Sequence, residues 1–190
     1  KLARLHYENL DDAEGFQTWI KHAQQARRDN PDVVSLLIEF HTAREEWDSV
    51  APRLEWLVRY MEAKRITSGL AQRAHELARL LEKLDQPHEA LEYYKLSMQT
   101  DGTFLPNIVD FGQFLVTHER WDRALRLHQN LLIQSRKLAS DEVRGQVLYN
   151  LALSSHELGL KDKAMQYLER LLAKQSDHQA GLALRQRILT

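Results

Sequence analysis

The sequence has no cysteine and, among its 190 residues, only four prolines and seven glycines. Without cysteine the chain has no disulfide, no cysteine-type zinc site and no thiol nucleophile. Few prolines and glycines together with 28% charged residues favour long, solvent-washed helices over sheets joined by tight turns. The same composition excludes a disordered or collagen-like chain.

Long apolar runs and an excess of one charge are also missing. The longest purely apolar runs, such as 36–38 and 131–133, are three residues long, whereas a bilayer-spanning helix needs about 20. The 26 basic and 27 acidic residues leave a net charge of -1, which gives no global attraction to nucleic-acid phosphates or anionic lipid. We therefore expect neither nucleic-acid binding nor direct membrane insertion of this fragment.

One short segment recurs along the chain at spacings of 40, 34 and 40 residues. The segment 121–125, Trp-Asp-Arg-Ala-Leu, has counterparts at 47–51, 87–91 and 161–165. These place Val50, Ala90, Ala124 and Ala164 in one column. A 34-residue unit with two linkers, each extended by six residues, explains all three spacings, so the sequence predicts a repeat protein.

Within each unit the apolar residues follow the i, i+3, i+4, i+7 spacing of an amphipathic helix, twice over. Each unit is therefore predicted to be a pair of antiparallel helices, and the chain an all-α, right-handed superhelical solenoid of ten to eleven helices. Turns are expected near 85–87, 118–119 and 159–160. The predicted organisation is a partial repeat at 1–30, repeats at 31–64, 71–104, 105–138 and 145–178, and a capping or truncated helix at 179–190.

Small residues recur where paired helices must approach closely. Gly112, Ala78 and Ala152 are expected to face Ala124, Ala90 and Ala164, respectively. Trp47 and Trp121 stand at the start of second helices, where each ring is expected to fill the wedge between the helices.

These columns resemble the tetratricopeptide repeat family, most clearly in Tyr149-Asn150-Leu151-Ala152 followed by Gly159 and Ala164. The resemblance implies a non-enzymatic scaffold or adaptor that holds a segment of another protein in its concave groove. His75, Arg79, Asp110, Gln146 and Asn150 depart from the carboxylate clamp of chaperone-binding members, so a chaperone tail is not the expected partner.

A narrower resemblance covers residues 121–132 and 158–164, which look like two repeats of the bacterial lipopolysaccharide assembly protein B. That family is a membrane-anchored cytoplasmic adaptor with a cysteine-rich metal module, and neither feature occurs in this sequence. It implies a regulatory adaptor of the bacterial envelope as an alternative function. Since the chain starts at Lys1 without Met and has apolar residues at both ends, we expect an excised part of a longer array. The cytoplasm is a working assumption for its location, and a homo-oligomer formed through the terminal helices is a further alternative.

The nine histidines raise the possibility of a metal site or an enzyme. No two stand at i, i+4, and the His-Glu dipeptides at 75, 88, 118 and 156 lack further ligands at helical spacing. We interpret them as solvated helix residues. With no Gly-x-Ser-x-Gly elbow and no glycine-rich phosphate loop, we expect no catalytic residues, no metal and no cofactor.

The candidate partner-binding residues lie on the first helix of each pair, because stacking of repeats turns these helices toward a shared groove. Arg79 and Tyr149 are expected to anchor a peptide, and the amides of Gln113 and Asn150 to fix its backbone. Glu39, Thr42, Ala43 and Glu76 belong to the wider lining. The complete set of expected contact residues is Gln72, His75, Arg79, Val109, Gln113, Gln146, Tyr149, Asn150 and Leu153.

Overall fold

The computed structural model describes residues 13–26, 30–133 and 140–190, and every regular element in these ranges is helical. This confirms the predicted all-α class and the predicted helix–turn–helix pairs. Residues 1–12 and 27–29 of the predicted partial repeat, and residues 134–139 at the end of the repeat 105–138 and the start of the linker after it, lie outside the described residues. The helices are α1 (Ala13–Ala26), α2 (Pro31–Thr42), α3 (Trp47–Ala63), α4 (Leu70–Lys83), α5 (Pro87–Thr100), α6 (Leu105–Thr117), α7 (Trp121–Ile133), α8 (Asp141–Glu157), α9 (Lys161–Leu172) and α10 (Gln179–Leu189).

Side chains that precede the helices explain several of the starts. The Asn30 side chain accepts a hydrogen bond from the Asp32 backbone N–H at 3.0 Å, with Pro31 in the first turn of α2. Ser140 Oγ accepts from the Val143 N–H at 3.2 Å at the start of α8. Each contact satisfies an amide that has no partner within its own helix.

The turns within the pairs repeat in conformation as well as in sequence. Glu45, Asp85, Glu119 and Gly159 all adopt left-handed backbone, with φ of 56°, 56°, 56° and 74°. They stand at the same spacings as the column of Val50, Ala90, Ala124 and Ala164, five residues before it. The residue after each of them donates a backbone hydrogen bond of the Schellman type to the end of the preceding helix. One example runs from the Arg120 N–H to the Leu115 carbonyl at 2.7 Å. The repeat phase derived from side chains is thus also present in the backbone.

Glu119→Gly should raise the free energy of unfolding by about 1 kcal/mol, because a side chain in left-handed backbone costs roughly that amount and glycine avoids it. Gly159→Ala should lower it by about 1 kcal/mol; a Cβ there meets no atom within 4 Å, so only backbone strain enters. Glu119→Ala is the control that removes the carboxylate and keeps the strain. Urea denaturation measures all three, and a stabilising Glu119→Ala would contradict the conformational explanation.

The chain divides into two compact units, Lys1–Phe104 (unit 1) and Leu105–Thr190 (unit 2). In unit 1 the Phe16 and Phe40 rings stack at 4.1 Å between α1 and α2. Tyr94 of α5 is completely buried, and its hydroxyl donates to the Glu82 carboxylate of α4. The hydrogen bond between Tyr94 and Glu82 helps to hold α4 and α5 in one register.

Unit 2 has its own core, formed by α8, α9 and α10. Ala152 and Ala164 are fully buried in it, as the small-residue column predicts. At Gly112 the small-residue column did not predict a second neighbour: the atoms nearest to a Cβ at this position belong to His128, with Nε2 at 2.5 Å. The His128 ring occupies the space that the absent side chain leaves. The main core residues of unit 2 in this cluster are Leu148, Ala152, Ala164, Leu168, Leu171, Leu184 and Ile188.

Candidate functional site

The predicted contact residues of unit 1 lie on α4, and two of the three are exposed. Gln72 is exposed and donates through Nε2 to Glu76 Oε1 at 2.9 Å. The second oxygen of Glu76 accepts from Arg73 Nη1 at 2.8 Å. Arg79, two turns after Gln72, is also exposed. This surface of α4 therefore presents paired charges and amide groups, which suit polar contacts with a ligand.

His75 is buried, with only 6% of its surface exposed. Its ring meets the Phe104 ring edge-on at 5.5 Å and lies 6.2 Å from the Tyr94 ring. The sequence-based interpretation of His75 as a solvated residue was wrong, because the chain after α5 brings Phe104 over this position. His75 packs in the core of unit 1 and offers little surface to a ligand.

An open cavity of about 500 Å³ lies among α2, α3 and α4 in unit 1. Its volume falls within the range usual for ligand sites. The Trp47 ring forms part of its wall and is itself covered by the Lys83 ammonium at 3.8 Å from the ring centre. Trp47 is thus half-buried, with part of its ring against Lys83 and part facing the cavity. The lining combines an apolar set, Ile38, Ala43, Trp47, Val50, Leu54 and Leu80, with a polar set, Glu39, Thr42, Arg73 and Glu76.

In unit 2 three of the predicted residues come together in one hydrogen-bonded cluster. Asn150 Nδ2 donates to Gln113 Oε1 at 3.1 Å, and Gln146 Nε2 donates to Asn150 Oδ1 at 3.0 Å. Gln146 Nε2 also lies 3.4 Å from Gln113 Oε1. Gln113 and Gln146 are exposed, whereas Asn150 is only 2% exposed. The cluster, which we call the amide cluster, joins α6 to α8 and presents two of its three amides to solvent.

His128 lies beneath this cluster, although the sequence pattern did not single it out. It is 1% exposed, with Nδ1 at 2.9 Å from the Ala124 carbonyl oxygen and Nε2 at 3.3 Å from Asn150 Nδ2. Burial lowers the pKa of its ring from the usual 6.5 to about 4. The ring is therefore neutral at pH 7. The one signal in the sequence that could have identified His128 is its position: it is the polar ring in a repeat column that elsewhere holds Leu54, Tyr94 and Leu168.

The remaining predicted residues, Val109, Tyr149 and Leu153, are half-buried. The Tyr149 ring lies 5.5 Å from the His178 ring, and both Tyr149 and Leu153 pack against the core of unit 2. Part of the Tyr149 side chain is therefore used in packing near the start of α10. The rest of the Tyr149 side chain is exposed, so its role as an anchor for a peptide stays a prediction.

Within the described residues, no group of three or more His, Cys, Asp or Glu is arranged to hold a metal ion. Nor does that part of the chain contain a helix of the length and apolarity that a membrane span requires.

Comparison with known proteins supports the repeat type. Residues 146–178 match the family model of the tetratricopeptide repeat. A structure of YrrB, described as "a TPR protein with an unusual peptide-binding site", superposes with a TM-score of 0.70 at 18% identity, covering 97% of this chain and 88% of that one. MamA superposes with a TM-score of 0.66 at 14% identity, covering 92% and 88%. PilF of Pseudomonas aeruginosa gives 0.61 at 12%, covering 98% and 79%.

At such low identities the superpositions show the fold alone, and they confirm the solenoid of tetratricopeptide-like helix pairs. No curated protein matches the chain. The resemblance of residues 121–132 and 158–164 to lipopolysaccharide assembly protein B is not supported by these comparisons and stays a prediction.

Proposed function

We propose that the chain is a non-enzymatic interaction module that binds an extended segment of a partner protein, one apolar side chain of which enters the α2–α4 cavity of unit 1. The cavity is the observation that carries the proposal, because it joins an apolar floor to a polar rim on the predicted first-helix face. The tetratricopeptide-like fold and the peptide-binding site named for YrrB support it.

The chemistry of the cavity favours a peptide over a polar metabolite. Ile38, Leu54 and Leu80 supply a floor on which a leucine- or phenylalanine-sized side chain would be removed from water, worth about 2 kcal/mol. Arg73 pairs with Glu76 at the rim, and Glu39 leaves the lining with a net negative charge, which does not favour an anionic metabolite. Their remaining hydrogen-bonding capacity suits the neutral backbone on either side of the anchored residue. Arg79 and Gln72 are proposed as the neighbouring polar contacts on α4.

Ala43→Leu should weaken binding of such a segment about tenfold, because added methyl groups at the cavity wall occupy space that the ligand side chain needs. The measurement uses peptides selected on the native chain from a displayed random library, with affinities determined by calorimetry. Ala63→Leu is the matched control: the same change at an exposed position at the end of α3. Equal affinities of the two variants for every selected peptide would exclude the cavity as the binding site.

Two alternatives from the sequence remain predictions. Self-association through the terminal helices would use exposed apolar residues of α10, where Leu182 and Leu189 are 37% and 68% exposed. A role as an adaptor of the bacterial envelope depends on the narrower family resemblance alone.

A further inference from the structure

We infer that His128 fixes the direction of hydrogen bonding through the amide cluster, so that unit 2 presents an N–H donor of Gln113 and a C=O acceptor of Gln146 to the backbone of a bound segment. The direction of the hydrogen bonds stands on the geometry of unit 2 alone. The assignment of a peptide backbone as the ligand depends on the proposed function.

The first step is the tautomer of His128. Its Nδ1 lies 2.9 Å from the carbonyl oxygen of Ala124, and a carbonyl oxygen can only accept, so Nδ1 carries the proton. A neutral imidazole has a single N–H, which leaves a lone pair on Nε2. The Asn150 side-chain atom 3.3 Å from Nε2 must therefore donate, and this requires the NH₂ group to point inward.

The second step follows the chain of amides outward. With its NH₂ group inward, Asn150 has one further N–H, which meets Gln113 at 3.1 Å and requires an acceptor there, Oε1. The Asn150 oxygen faces Gln146 at 3.0 Å and requires a donor there, Nε2. Gln113 Nε2 and Gln146 Oε1 are then the outer atoms of the cluster. The contact of Gln113 Nε2 with Thr117 Oγ1, at 3.5 Å, lies at the outer limit of a hydrogen bond.

The third step is the kind of ligand that suits these outer atoms. They provide one neutral donor and one neutral acceptor on adjacent helices, which matches the C=O and N–H of an extended chain. No atom of the cluster carries a charge that would offset the desolvation of a terminal carboxylate. The cluster therefore fits an internal stretch of a partner better than a free chain end.

The direction of the bonds can be measured without a partner. Nitrogen-15 chemical shifts of the His128 ring should show a protonated Nδ1 and an unprotonated Nε2 in the native chain at pH 7. Asn150→Asp changes the same site to acceptor-only oxygens, so the proton should move to Nε2 or the ring should become doubly protonated. Asn130→Asp, on the exposed side of α7, is the matched control and should leave the ring unchanged. An Nε2–H tautomer in the native chain would overturn the inference, whether or not the Asn150→Asp variant folds.

The ligand part is tested with the peptides selected on the native chain. Asn150→Asp should weaken their binding about tenfold relative to Asn130→Asp. The new carboxylate oxygen requires a donor from Gln113, which must then turn its own oxygen outward, where it opposes a backbone C=O. Gln146 donates to position 150 in both chains and keeps its direction. Equal affinities of these two variants would overturn the ligand assignment while the tautomer result stood. If no peptide of the library binds the native chain, the proposed function and the ligand assignment are both overturned. The direction of the hydrogen bonds is still measured by the chemical shifts.

Discussion

The free energy of unfolding should fall by about 3 kcal/mol more in the native chain than in a His128→Gln variant when the pH is lowered from 7.5 to 4. The folded chain resists protonation of His128 until about pH 4, whereas the ring in the unfolded chain takes up a proton near pH 6.5. Between these values the unfolded state binds more protons, so stability is complete above about pH 6.5 and is lost as the pH falls. A separation of roughly 2.5 pH units, at about 1.36 kcal/mol per unit, gives the expected loss.

Urea denaturation followed by circular dichroism, at half-unit steps of pH, measures this difference. Both chains share every other ionisable group, so subtraction isolates His128. The ring partners that the structure shows, the Ala124 carbonyl and the Asn150 amide, are neutral and supply no charge to stabilise an imidazolium. Parallel curves for the two chains would mean that the ring is hydrated or already protonated in the folded state.

The turns of the repeat were predictable from sequence because their signals are local. Asp85, Glu119 and Gly159 each stand five residues before an alanine of the repeat column. Each of them adopts the left-handed backbone conformation. The 40, 34, 40 spacing gave the repeat unit, and the i, i+3, i+4, i+7 pattern of apolar residues within the unit gave the helix pairs. Periodicity of this kind reports which side of a helix is apolar, and therefore which side is buried.

The composition of the site was less predictable, because it depends on contacts from distant segments. A column assignment places His75 and Asn150 on the first-helix face but does not show that Phe104 covers the one and that His128 lies beneath the other. It likewise did not show that the His128 ring, one turn further along α7 than Ala124, occupies the space beside Gly112. In the sequence, the cavity of unit 1 was represented only by separate positions of the wider lining, Glu39 and Thr42 among them. Its apolar floor, formed by Ile38, Leu54 and Leu80, was not predicted.

Gly112→Ala should lower the free energy of unfolding by about 2 kcal/mol, although alanine is the better helix former by about 1 kcal/mol. An ideal Cβ at this position stands 2.5 Å from His128 Nε2 and 2.9 Å from Cε1, closer than real contacts allow. The ring is held at Nδ1 by the Ala124 carbonyl, so moving away breaks the bond to Asn150 and leaves one N–H of that buried amide without an acceptor. Strain of about 1 to 3 kcal/mol and a similar cost for the unpaired group outweigh the gain in helix propensity.

Gly145→Ala is the matched control, since a Cβ there would also lie 2.5 Å from a neighbouring side chain, the amide of Gln175. Gln175 is flexible and half-buried, and its bond to the Asp141 carbonyl is exposed, so it can move at little cost and the change in stability should be near zero. In a His128→Ala background the clash at position 112 is absent, and Gly112→Ala should then raise the free energy of unfolding by about 1 kcal/mol through helix propensity alone. The reversal of sign is the decisive result, because a destabilisation that persisted without the His128 ring would have to come from another neighbour of Gly112.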